Sequence, residues 1–379
     1  MQGSLLFVLV SSLIKIVFIL IVAVGAFAPL LVWAERRQSA MIQDRLGPIR
    51  AGFTLFGRNI TLAGLLHPLA DALKLIFKED FVPPKADRFL HAAAPIITLA
   101  PVVASFAVIP FADVLYLDHA TEVLPRTGAV ASSAAVPMQV APLNIGILFV
   151  FAIGGTGIIG AAIAGYGSDN KYSLLGGIRA ASQMVSYEVT LGLTLVPCFM
   201  VYESVRLEEM ALWQSEHVWG IFVPNLTLAF VLFLTASIAE SKRIPFDQPE
   251  GESEIVGGYA TEYSGMRWGM FFMAEFVEIV VLGAMATVLF FGGWDLPFLY
   301  RNGLDFFGFV VELQHWVVVT LQVLFFLLKI VLFMWLQLMI RWTLPRFRYD
   351  QVMALCWKGL LPLSLVNIMV TGIVLLATQ

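Results

Sequence analysis

Eight apolar runs, each near the length of a membrane-crossing helix, decide what this chain can fold into. They fall at Leu5–Trp33, Phe89–Phe111, Leu143–Ile163, Met184–Tyr202, Trp219–Ala239, Trp268–Gly292, Trp316–Ile340 and Gly359–Ala377. Roughly 20 apolar residues cross the hydrocarbon core as a helix, because lipid offers no partner to an open backbone. Charged residues make up only 13% of the 379, far fewer than a soluble chain of that length carries. The expected fold is all-α: a polytopic transmembrane helical bundle, with residues 1–379 forming a single transmembrane domain.

The placement of Lys and Arg orients the bundle. The loops after the odd-numbered spans hold eighteen of them, from Arg36 and Arg37 to Arg348 and Lys358; the opposite side holds Arg126, Arg206 and Arg301. By the positive-inside rule the odd loops face the cytoplasm and both termini lie outside. Lys15 sits within the first run, and no small-residue cleavage site leads into a soluble domain, so that run reads as a retained span. Cys198 and Cys356 stand alone in apolar segments. Without CxxC or a His/Cys cluster, the sequence argues against an iron–sulfur cluster, an attached haem or a structural zinc.

Two cytoplasmic loops carry more chemistry than a connector needs. In the first, spanning 34–88, Pro68–Glu79 places Leu69, Leu73, Ile76 and Phe77 on one helical face and Asp71, Lys74 and Lys78 on the other. Pro68 suits a first helical turn, and so short an amphipathic helix is expected to lie in the membrane interface. The second, Ala239 to Met266, packs Glu240, Asp247, Glu250, Glu252, Glu254 and Glu262 with Lys242 and Arg243. Its prolines and glycines, among them Pro245, Pro249, Gly257 and Gly258, forbid one continuous helix and predict a structured loop. The outer segments differ: 113–142 shows no usable periodicity, and the acidic 203–217 is expected to be solvated.

Gly155-Thr156-Gly157-Ile158-Ile159-Gly160 matches the dinucleotide fingerprint GxGxxG literally, but within a transmembrane run. That fingerprint requires a preceding strand and a βαβ unit. Gly157, Ala161 and Gly165 recur every four residues instead, the spacing of close helix packing. Ionisable groups at membrane depth are costly and mark function. Glu188 lies near the start of span four, Glu240 closes span five, and Glu275 and Glu278 share a face of span six. Clustered acids of this kind suit a proton relay with coupled titrations. Lys15 is near enough to a span end to snorkel, whereas Lys329 lies deep and needs an acid or a neighbouring subunit as partner.

Several segments together resemble one family: Ala34–Arg37, QDRLGP at 43–48, GLLHPLADALKLIFKED at 64–80, NKYSLLGGIRAASQMVSYE at 170–188, the acidic loop, and FFMAEF at 271–276. In this order they are similar to the H-subunit family of the proton-pumping NADH:quinone oxidoreductase, respiratory complex I, known in mitochondria as NADH dehydrogenase subunit one. The likeness runs from about Ala34 to the C-terminus.

The resemblance implies a membrane subunit that walls the quinone chamber and starts the proton path. Glu35, Arg36 and Arg45 match family positions near the quinone entrance, and Asp71 and Lys74 match the amphipathic helix beside it. Arg179 and Arg243 match arginines at the chamber. Asp247, Glu250, Glu252 and Glu254 match the acidic loop facing it, and Glu262 lies in the same loop. Glu188, Glu240 and Glu275 match carboxylates leading into the membrane, with Glu278 beside them.

The implied substrate is a quinone, with nothing bound covalently. Iron–sulfur clusters and FMN are implied on partner subunits only. Implied partners are the peripheral-arm quinone-site and terminal-cluster subunits, the small membrane-arm subunits and membrane lipid, and no nucleic acid; the implied location is the bacterial inner membrane. Two departures touch the entrance: Gly47-Pro48-Ile49-Arg50 replaces the usual GPNR, and Phe53–Thr61 fits the family pattern poorly. A related reading is the homologous subunit of a nickel–iron hydrogenase or formate hydrogenlyase, against which the complete first loop argues. A secondary transporter would show an internal repeat, and the acidic loop has no counterpart after span one.

Overall fold

The computed structural model describes residues 5–55, 58–125, 134–306 and 309–378, apart from the side chains of 5, 53–55, 58–60, 252, 253 and 306. Arg126 and the side chain of Glu252 therefore lie outside the described residues, as do most side chains of the Phe53–Thr61 stretch. Among the described residues, seven stretches are long and apolar enough to cross a membrane. The first, Leu6–Ile42, comprises α1 (Leu5–Ile19), a π-helical segment at Leu20–Phe27 and α2 (Ala28–Ile42). Two short antiparallel strands follow, β1 (Phe53–Leu55) and β2 (Arg58–Ile60), and then α3 (His67–Phe77). α4 (Arg88–Ser105) is the next crossing helix. Past it β3 (Leu115–Tyr116) pairs with β4 (Ala135–Val136), followed by α5 (Gly146–Gly167) and α6 (Lys171–Tyr202).

Beyond α6 come α7 (Leu207–Glu216), α8 (Pro224–Glu240), α9 (Glu252–Ile255) and α10 (Gly265–Phe290). A three-stranded antiparallel sheet of β5 (Leu299–Tyr300), β6 (Gly303–Phe306) and β7 (Phe309–Glu312) leads into α11 (His315–Thr343). The last crossing stretch, Tyr349–Thr378, joins α12 (Tyr349–Ala354), a π segment at Leu355–Leu360 and α13 (Leu361–Thr378). α8 accounts for the one apolar run left over, the fifth in chain order. At 17 residues it stands at the lower end of what crosses a bilayer.

α10 is the axis of the bundle: 83% of its apolar window is buried inside the protein, against 11% for the first helix. Its far end shows how the fold treats buried backbone. A helix leaves its last carbonyls unbonded, and in an apolar surrounding each needs a donor. Gln214 Nε2 donates to the Val288 carbonyl at 2.7 Å and Tyr202 Oη to that of Leu289 at 2.8 Å. Just beyond the helix, Lys329 Nζ donates to the carbonyls of Phe291, Gly293 and Asp295 at 2.6, 3.0 and 2.7 Å. Lys329 thus closes the end of α10, where a cation also suits the helix dipole, rather than pairing with a buried acid. Lys15 does not snorkel either. It is buried and donates to the carbonyls of Pro137 and Gln139, tying α1 to the loop after β4.

Three further expectations change. The acidic 203–217 segment is not simply solvated: it forms α7, which buries Leu207, Met210, Ala211 and Gln214. The first basic loop begins later than hydropathy suggests, because α2 continues to Ile42 and carries Glu35 and Arg36 on a helix. Helix α6 begins at Lys171, so Glu188 sits at mid-helix rather than near a helix start. The small-residue stripe of α5 does serve close packing, through partly different glycines. A Cβ on Gly160 would collide with Thr98 of α4, and one on Gly165 would lie 2.6 Å from the Ser173 carbonyl of α6; Gly157 has more room.

Candidate functional site

The basic ends of α2, α3, α8, α10 and α11 gather most of the ionisable residues singled out in the sequence. Arg243, just past α8, is the hub. It is 8% exposed. Its Nη2 lies 3.2 Å from Glu275 Oε2 of α10, its Nη1 lies 3.5 Å from Glu35 Oε2 of α2, and its guanidinium stacks 4.2 Å from the Phe276 ring centre. Arg341 of α11 reaches the other oxygen of Glu35 at 3.2 Å. Three helices distant in sequence are clamped by one largely buried ion cluster, where the low local dielectric strengthens each pairing.

The acidic loop seats on this cluster. Asp247 pairs with Arg346, and Tyr259 Oη donates to Glu275 Oε1 at 3.1 Å. Glu250 shares a hydrogen bond with Glu275. Some of its surface stays open, yet protein crowds it at longer range. Burial, then the Glu275 charge beside it, drives the Glu250 carboxyl well above the ordinary carboxylate range; Arg243 only partly opposes them. Glu250 therefore carries a proton and donates it toward Glu275. Burial likewise raises Asp247, outweighing Arg346.

A folded-state pKa above the unfolded one means the native protein holds a proton that the unfolded chain releases. The stabilisation is complete below the ordinary carboxylate range and is lost as pH rises through the raised pKa. The melting temperature of the purified protein is thus expected to fall from acid toward mildly alkaline pH. The slope should be shallower in Glu250→Gln, as thermal melts across pH will show.

Two glycines make the seating possible. A Cβ on Gly176 of α6 would stand 2.5 Å from the Tyr259 nitrogen, so the loop backbone lies directly on the helix. Gly258 has φ +59°, the left-handed region, and a side chain there would strike the Pro249 carbonyl. Gln183, fully buried, donates to the carbonyls of both Ala239 and Phe246, fixing where the chain leaves α8.

Deeper in the bundle, Lys242 approaches Glu278 at 4.0 Å. Lys242, Glu278 and Glu240 line one cavity with Thr98, Ser105 and Met184, about 650 Å³ with its open mouth. Glu240 lies within electrostatic range of Glu278 and Glu188. Its Oε2 is buried and, among the described residues, has no hydrogen-bond partner. The Glu188 carboxylate packs against Gly155, where a Cβ would come within 3.0 Å of it. The literal GxGxxG thus makes room for an acid, not for a nucleotide.

At the other end of the seam, α2, α3 and α10 enclose an apolar cleft of about 830 Å³, mouth included, lined by Val32, Leu75, Phe272 and Met273 among others. Arg36 and Lys74 stand at its rim and both reach Asp71, at 2.6 and 3.3 Å. The apolar face of α3 (Leu69, Leu73, Ile76, Phe77) is exposed, as an interfacial helix requires. Arg45 bonds Gln43 and Ser39 and lines an adjacent polar cavity with Glu35 and Arg36. Three expected residues stand apart from the hub. Arg179 pairs with Glu254 at 2.7 Å beside Tyr349, and Glu262 accepts from Asn170. Arg341, Arg346 and Tyr259 were not singled out from sequence; the two arginines read only as loop cations.

This architecture defines an all-α polytopic membrane protein with a buried ionic seam running from an apolar cleft to carboxylates inside the bundle. The profile of a family described as NADH dehydrogenase matches residues 14–372. The chain is similar to an H subunit of NADH-quinone oxidoreductase from Koribacter versatilis, 42% identical over 378 residues, covering 98% of this chain and 99% of that one. An H subunit of the same enzyme from Geobacter metallireducens is 44% identical over 96% of this chain and 95% of its own. The chain belongs to this family, the H subunits of NADH-quinone oxidoreductase.

Proposed function

We propose that the chain is a membrane subunit of a proton-translocating NADH:quinone oxidoreductase, one that walls the quinone site and couples it to proton movement. The observation that carries this is the succession of three ionic clusters: the Arg36–Asp71–Lys74 rim, the hub of Glu35, Arg243, Glu275 and Glu250 that shares a polar cavity with Arg36, and the deeper group of Lys242, Glu278 and Glu240. Quinone is the substrate; the partners that bring electrons carry the FMN and iron–sulfur clusters. The cleft's apolar wall suits an isoprenoid tail, and its charged rim suits a headgroup.

A reduced quinone takes up protons. Glu250 and Glu275, sharing one proton beside Arg243, are placed to shift theirs when charge changes in the chamber. From there Glu278, Glu240 and Glu188 lead inward. The protein is proposed to lie in the bacterial inner membrane with the basic end cytoplasmic, both termini outside, and the small membrane-arm subunits and peripheral-arm quinone-site subunits as neighbours.

The test is Glu240→Gln and Glu250→Gln, made separately in the assembled complex, with quinone reduction and proton pumping measured in sealed vesicles. Either activity is expected to fall about tenfold or more, the scale of losing a positioned proton carrier. Near-normal values for both, in intact complex, would remove the acids from the coupling path.

A further inference from the structure

Among the described residues, two buried histidines lie outside this seam, His91 and His315, and the first of them joins it to the loop. His91, in the first turn of α4, is fully buried. Its ring stacks on Tyr263, 4.0 Å between centres and 7° from parallel. Nδ1 lies 3.0 Å from Arg267 Nη1, and Nε2 lies 3.4 Å from the Glu262 carbonyl. Arg267 in turn pairs with Asp80 at 3.0 Å, and Ser264 Oγ donates to the Glu79 carbonyl at 3.1 Å. The ring therefore sits where three segments meet: the chain leaving α3, the start of α4 and the end of the acidic loop.

These contacts fix the proton. A guanidinium can only donate, so Nδ1 must offer its lone pair, and Nε2–H faces the carbonyl. The ring is neutral. A second proton, on Nδ1, would set donor against donor and place two cations 3.0 Å apart. The charged and titratable groups facing the ring are Arg267, Asp80, Glu262 and Tyr263, with Asp87 capping the same helix and Ser168 adding a neutral hydroxyl nearby. Asp80 is held by Arg267 and Glu262 by Asn170. None of them replaces the lost acceptor.

We propose that His91 is a positioning residue whose neutral ring holds the end of the acidic loop to the α3 wall of the cleft, and that its protonation releases the loop. The inference rests on the function proposed above. It gives the coupling loop a switch sensitive to acidification on the basic side of the membrane, one that acts only below the range of a free histidine, because the second proton must be placed beside the Arg267 guanidinium.

The test uses the assembled complex in sealed vesicles and two readouts: the pH profile of quinone-driven proton pumping, and amide-exchange protection of residues 258–267. In His91→Gln the side-chain amide keeps one acceptor and one donor but does not titrate. Wild type is expected to keep pumping and loop protection at neutral pH and to lose them together as pH falls below the range of a free histidine. His91→Gln should keep both. His91→Leu, lacking an acceptor at any pH, should show the acid behaviour throughout, its loop opening at least about tenfold more often, the weight of one hydrogen bond to a charged group.

An unchanged acid limb in His91→Gln, or wild-type protection indifferent to pH, overturns the proposal. If the loop still switches with pH while Glu240→Gln and Glu250→Gln pump normally, the switch stands and the coupling reading fails.

Discussion

Arg243→Met is expected to be the most damaging single substitution in this protein. The guanidinium is the common partner of Glu35 and Glu275, and removing it leaves the buried Glu275 without its arginine and the partly buried Glu35 with Arg341 alone. Breaking one side of a buried ion pair typically costs about 3–5 kcal/mol, because the remaining charge stays desolvated. The acids would have to bind protons or draw in water, and either change disorders the contact of Tyr259 and Glu250 with Glu275. The expected result is a lower melting temperature and quinone reduction reduced by well over an order of magnitude. Arg243→Lys, which keeps the charge but cannot fork between two acids, should lie between. Native-gel assembly, thermal melts and turnover of the three forms decide it. Wild-type melting and turnover in Arg243→Met would mean that the cluster neither clamps α2 to α10 nor serves the site.

Gly176→Ala tests a different link, the seating of the loop. In an isolated helix this change stabilises by about 1 kcal/mol. Here the new methyl would meet backbone atoms of Tyr259 and Gly258 at 2.5 and 2.6 Å, and backbone cannot swing aside. Overpacking of this kind costs about 1–3 kcal/mol, and here it falls on the loop rather than on α6. The expected outcome is an assembled complex whose acidic loop is cut readily by protease and whose pumping is lost. A loop that stays protected in an active variant would show that it does not rest on Gly176.

Much of this was legible in the chain because membranes restrict it so severely. Apolar length alone located the membrane-crossing stretches, and α3 was readable from its amphipathic period. What escaped has identifiable causes. Hydropathy cannot see a helix continue past the apolar zone, so the polar first half of α6 and the last turns of α2 read as loop. α7 escaped because its acidic residues hid the buried Leu207, Met210 and Ala211 on the other face. Arg341 and Arg346 carried no local signal to separate them from other cations near span ends.

The sequence by itself determined the class of protein, the number of apolar runs and which side chains carry charge, since each depends on composition within a window of about 20 residues. Only the tertiary structure decided which charges meet. Glu35, Arg243, Glu275 and Arg341 come from four segments of the chain, and their pairing depends on how α2, α10 and α11 pack around the axis of α10. So does the proton shared by Glu250 and Glu275, because a carboxyl's affinity for a proton is set by the burial and neighbouring charge that packing supplies.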